Sequence, residues 1–129
     1  MDITVYKFIH YIGLFTLFFA FGGLTLGART AGGKNFSHRL QYTLLHGVGL
    51  LLLIVSGFGQ LAKLNHAIVE SGGVAPSMPM WLITKLIIWL GFGIMISLIF
   101  RLPKFSSYIW ALILILGACA SYLALFKPF

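Results

Sequence analysis

Four long apolar runs, each close to the length that carries a helix across a bilayer, leave this chain few folds. A hydrocarbon core of roughly 30 Å needs about 20 consecutive apolar residues in helical form. Such runs extend from about Val5 to Gly27, Tyr42 to Ala62, Met80 to Phe100 and Tyr108 to Phe126. They are apolar on every face, whereas the strands of a membrane barrel would alternate. A helix satisfies its own backbone polar groups, which lipid requires. The expected fold is an all-α integral membrane protein: one domain over residues 1–129, a four-transmembrane-helix bundle running up-down-up-down. Composition removes the soluble alternative. Only 9% of residues are charged and 60% are hydrophobic, against about a quarter charged in soluble domains.

The first run is read as retained rather than as a secretory signal. Asp2 and Lys7 roughly cancel where a basic segment would stand, the run is long, and no clear small-residue cleavage site follows. Gly32, Gly33 and Asn35 mark the first turn, and Pro103 marks the third. The second link is the longest. Its Lys63–Glu70 half either continues helix two beyond the membrane or lies along the surface, until Ser71-Gly72-Gly73 breaks the helix and Pro76 and Pro79 end the loop.

Basic residues set orientation. Arg29, Lys34 and Arg39 lie in the first connection and Arg101 and Lys104 in the third, while the second holds only Lys63, with Glu70 nearby. The first and third connections are therefore expected in the cytoplasm and both termini on the outer, periplasmic side, in a membrane of the bacterial inner type. Lys7 and Lys127 weigh against this. The net charge of +7 is scattered over loops. It fits anionic headgroups of the lipid bilayer and offers no basic face for nucleic acid.

Small residues recur where helices can approach closely. Gly13, Ala20 and Gly27 follow a seven-residue spacing, Gly49, Ser56 and Gly57 share a side of helix two, and Gly117 and Ser121 are four apart on helix four. Such stripes pack helices, and in haem-binding bundles they also make room for a flat macrocycle. Cys119 is the single cysteine, so no intrachain disulfide forms. Asp2 and Glu70 are the only acidic side chains, which disfavours paired-carboxylate catalysis and carboxylate-lined cation transport. No zinc-ligand spacing, glycine-rich phosphate loop or nucleophile elbow is present.

Three polar groups at depth carry more information, because ionisable residues inside a membrane are costly. His10 lies about five residues into helix one and is either a haem or metal ligand or an interfacial histidine bonded to a neighbouring helix. Lys85 lies between Trp81 and Trp89, one turn either way, and either snorkels to the headgroups or turns inward toward an anionic cofactor group. His46 enters from the opposite face. The helical rise puts it roughly 15–20 Å from His10 along the membrane normal, so the two are not expected to share one haem. His46 then bonds a neighbouring helix or serves a second site. His10 and Lys85 form the natural pair, at similar depth. His38 and His66 are placed in solvated loops.

Lys7-Phe8-Ile9-His10-Tyr11-Ile12-Gly13 resembles the Lys-x-x-His opening of helix one in the HemJ-type protoporphyrinogen oxidases, and Trp81-Leu82-Ile83-Thr84-Lys85-Leu86 resembles their Trp-x-x-x-Lys-Leu opening of helix three. CopD-like four-helix membrane proteins also carry an early histidine. The resemblance covers two of the four helices. It implies haem b in the bundle, His10 as the iron ligand, Lys85 and Trp81 lining the same pocket, and oxidoreductase activity on protoporphyrinogen. The arginine that the family carries in the second half of helix one has no counterpart in Phe21-Gly22-Gly23-Leu24-Thr25. Three functional classes follow: a haem-binding or redox protein using these residues, a non-enzymatic subunit packing as a homo-oligomer or against a membrane-protein partner, and a small transporter.

Overall fold

The computed structural model describes residues 2–74 and 78–127. Four helices account for most of them: α1 over Ile3–Ala31, α2 over Arg39–Glu70, α3 over Met80–Arg101 and α4 over Ser106–Phe126, with one 3-10 turn at Pro103–Phe105 between the last two. Each is long and apolar enough to cross a membrane. The helices outrun the apolar runs because a run marks only the part that lipid must cover, and a helix continues until a residue stops it. Gly32 stops α1 in the left-handed conformation (φ 74°), with its N–H and that of Gly33 both donating to Ala28 O. Ser71-Gly72-Gly73 stops α2, with Gly72 at φ 90°. Of the two readings for Lys63–Glu70, continuation of helix two holds, and α2 reaches about 48 Å at the helical rise. Pro79 precedes α3 and its carbonyl accepts from Leu82 and Ile83. Pro76 lies outside the described residues.

α1 is the most enclosed helix and α4 the least. Leu17, Ala20, Phe21, Leu24 and Ala28 of α1 are almost wholly buried, against Phe92, Met95 and Ile99 of α3 and Ile109, Ile113 and Leu123 of α4. α1 and α2 pack backbone to backbone. A Cβ on Gly49 would lie 2.8 Å from Leu17 N, and one on Gly13 would lie 3.0 Å from Leu52 Cβ and 3.2 Å from Leu53 N. Aromatic rings fill the space over other glycines of the pair: Tyr6 over Gly59, Tyr42 over Gly23 and Phe36 over Gly27. The partners rise along α1 and fall along α2, so these two helices are antiparallel. Gly117 of α4 lies against the ring of Phe18; it serves the bundle's interior rather than an outer face.

At the centre, Phe21 packs against Phe92 (5.8 Å between ring centres), Phe18 (6.2 Å) and His46 (5.2 Å). Two side chains tie α2 to α3 in opposite directions. His46 Nε2 lies 3.0 Å from Phe92 O, and Trp89 Nε1–H donates to Leu50 O at 3.0 Å. His46 therefore bonds a neighbouring helix, the first of its two readings. Trp89→Phe keeps the ring and deletes the donor. It should lower stability in mixed detergent micelles by about 0.5–1.5 kcal/mol, and an unchanged unfolding midpoint would show that the tie carries nothing.

Candidate functional site

His10 projects from α1 toward α2, where Ser56 is fully buried. Its Nδ1 lies 2.8 Å from Ser56 Oγ. The Ser56 hydroxyl also reaches Leu52 O and Leu53 O of its own helix. With its one proton on Leu52 O, its oxygen accepts from His10 Nδ1–H. That tautomer leaves the lone pair on Nε2.

The imidazole edges a half-open cavity of about 90 Å³, bounded by Leu14 of α1, Leu53, Ile54, Gly57 and Phe58 of α2, residues of α3 from Leu82 to Phe92, and Ala120 of α4. Lys85 is the other ionisable group on its wall. The remaining surface is apolar apart from the Trp89 indole, whose N–H is already bonded. Gly57 keeps the cavity open: a Cβ there would meet only His10 Cε1, at 3.8 Å. Phe92 closes one wall and belongs to the central aromatic cluster.

His10 and Lys85, the pair singled out by depth, thus share one cavity. Trp81 does not line it. Its ring lies beneath two ammonium groups, Lys85 Nζ at 6.0 Å and Lys127 Nζ at 5.2 Å from the ring centre, and Trp89 takes the wall position instead. The Lys85 ammonium leans one turn back toward the start of α3, as a snorkelling lysine does, while the side chain still borders the cavity. His46 is ten residues from Ser56 along α2, about 15 Å at the helical rise, so buried His46 and half-buried His10 stay apart as expected. His38 is exposed just ahead of α2. His66 is exposed on α2 rather than in a loop, 3.1 Å from Glu70, an exposed pair of the kind worth about 0–1 kcal/mol.

The donor set fits an axial haem ligand in one respect: His10 is anchored through Nδ1 and presents Nε2. The space does not fit. Pockets for drug-sized ligands run to about 300–1,000 Å³, a porphyrin is at least that large, and this cavity is about 90 Å³. Among the described residues no three His, Cys, Asp or Glu side chains group to hold a metal ion. Sequence reasoning named Ser56 only as a small residue. Its role as the acceptor for His10 depends on the rotation of α2 against α1, which spacing within one helix does not give.

No protein-family model, curated protein or solved structure matches this chain.

Proposed function

We propose that this is a four-span, up-down-up-down membrane protein of a bacterial inner membrane, with both termini outside, that binds the polar head of a small lipid-soluble molecule between His10 and Lys85. The observation that carries the reading is the shared cavity: the His10 imidazole and the Lys85 side chain border one apolar recess, with the ammonium over Trp81 at its edge, within a rotamer change of a head bound there. Ionisable groups inside an apolar helix are seldom without purpose. A head bearing an acidic hydroxyl, carboxylic or phenolic, matches both groups. Its O–H donates to Nε2 and its oxygen accepts from Lys85. The cavity admits the head alone, and the tail lies in the bilayer.

The orientation rests on the basic first and third connections, with support from Arg29 and Ser106, which border a common cavity at one end of the bundle.

The test uses quenching of tryptophan fluorescence in detergent-purified protein by a short-chain benzoquinol. Saturable quenching is expected, weakened tenfold or more in His10→Ala and in Gly57→Leu, whose side chain fills the recess. Quenching that is unsaturable, or equal in all three proteins, overturns the proposal. Haem supplied in the same format gives the competing outcome. A Soret band lost in His10→Ala would mean that the recess opens to a macrocycle and that the haem reading replaces this one.

A further inference from the structure

A second cavity lies between the end of α1 and the start of α4. It measures about 250 Å³ and is lined by Gly22, Thr25, Leu26 and Arg29 of α1 and by Ser106, Ser107 and Trp110 of α4. We infer that it holds the phosphate group of an anionic phospholipid, with Arg29 and the first-turn serines of α4 as its ligands.

The positive side of the site comes from two sources. Arg29 brings a permanent guanidinium. The first turn of α4 brings the positive end of a helix of 21 residues. No side-chain cap bond forms at Phe105; the 3-10 turn ahead of α4 takes the Ser106 N–H on Pro103 O, so within this first turn the site relies on the Ser106 hydroxyl rather than on its backbone N–H.

The independent sign of a ligand is Ser106. It is 5% exposed, it borders the cavity, and its hydroxyl has no hydrogen-bond partner among the described residues. Thr25, on the same wall, uses its hydroxyl on Phe21 O and Gly22 O of its own helix. Ser106 makes no such bond, so its hydroxyl remains free for a ligand oxygen.

Charge accounting points outside the chain. The protein has two acidic side chains. Glu70 is beside His66, and Asp2 precedes the first turn of α1, 27 positions from Arg29 and about 40 Å away at the helical rise. Neither reaches Arg29, which is exposed at the end of α1 and open to an anion from outside the chain.

Position along the bundle selects a lipid over a soluble anion. Below Arg29 the wall continues as Leu26, Gly22 and Trp110, an apolar strip leading into the span. Nothing lies within 4 Å of a Cβ built on Gly22, so an acyl chain has room there. A headgroup phosphate attached to an acyl chain matches a cationic top over an apolar strip. No carboxylate lines the cavity to meet a choline ammonium, which favours phosphatidylglycerol over phosphatidylcholine.

Native mass spectrometry of the full chain in detergent, with either lipid added, tests this. Wild type should retain one phosphatidylglycerol in preference to phosphatidylcholine. Occupancy should fall fivefold or more in Arg29→Gln and at least twofold in Ser106→Ala, and stay unchanged in Lys34→Gln, which removes a charge from the same connection. Equal losses in Arg29→Gln and Lys34→Gln would reduce the effect to general attraction and overturn the site. So would equal retention of the two lipids by wild type, a readout that needs no variant to fold. Displacement by millimolar inorganic phosphate would overturn the assignment to lipid.

Discussion

Gly49→Leu should separate α1 from α2. Even the first added carbon has nowhere to go: it would lie 2.8 Å from Leu17 N and 2.9 Å from Leu17 Cβ. A backbone nitrogen inside a helix does not move aside as a side-chain tip does, so the helices must spread. Overpacking by a few methylenes typically costs about 1–3 kcal/mol, occasionally more, and in lipid close packing is itself a main force holding helices together. Gly49→Ala alone should therefore destabilise, although alanine is the better helix former by about 1 kcal/mol. Gly47, two residues away, has nothing within 4 Å of its Cβ position, so Gly47→Ala should be neutral or stabilising. Opposite signs for two glycines on one helix, measured by detergent unfolding, are the expected result. Equal effects would mean that the backbone contact is absent.

Phe21→Ala should be the most damaging single truncation. Phe21 is 1% exposed and touches Phe18, Phe92 and His46 through its ring. Removing such a ring from a packed interior costs about 3–5 kcal/mol, through dispersion contacts that are lost whether the surroundings are water or lipid. The void would adjoin Phe92, which also walls the His10 recess. Two results follow. The unfolding midpoint should drop steeply, and benzene should restore part of the loss in Phe21→Ala while leaving wild type unchanged, since apolar voids of this kind take apolar guests. A midpoint within error of wild type would show that the aromatic cluster is not a structural centre.

The four spans were legible because bilayer thickness imposes a length on a one-dimensional pattern. Pairing across helices is a different kind of information. His10 and Lys85 could be matched by counting depth from the ends of their runs, and they do border one cavity. Trp81 could not be placed that way. Depth puts it near Lys85, but rotation about α3 turns its ring under the two lysines and gives the wall to Trp89. His46 was resolvable only as far as its two readings, since the carbonyl it meets, Phe92 O, leaves no mark in sequence. Arg29 and Ser106 stand 77 positions apart in chain order, and no local period joins them. The one available hint was the shortage of carboxylates, which leaves more arginines than the chain can neutralise.

The paired bonds from His46 to Phe92 O and from Trp89 to Leu50 O also limit how the bundle can move. They run in opposite senses between the same two helices, so they act as two pins through adjoining plates. Sliding α3 along α2 would have to break both together. The recess beside them is already half-open, so a small head reaches it with both pins in place.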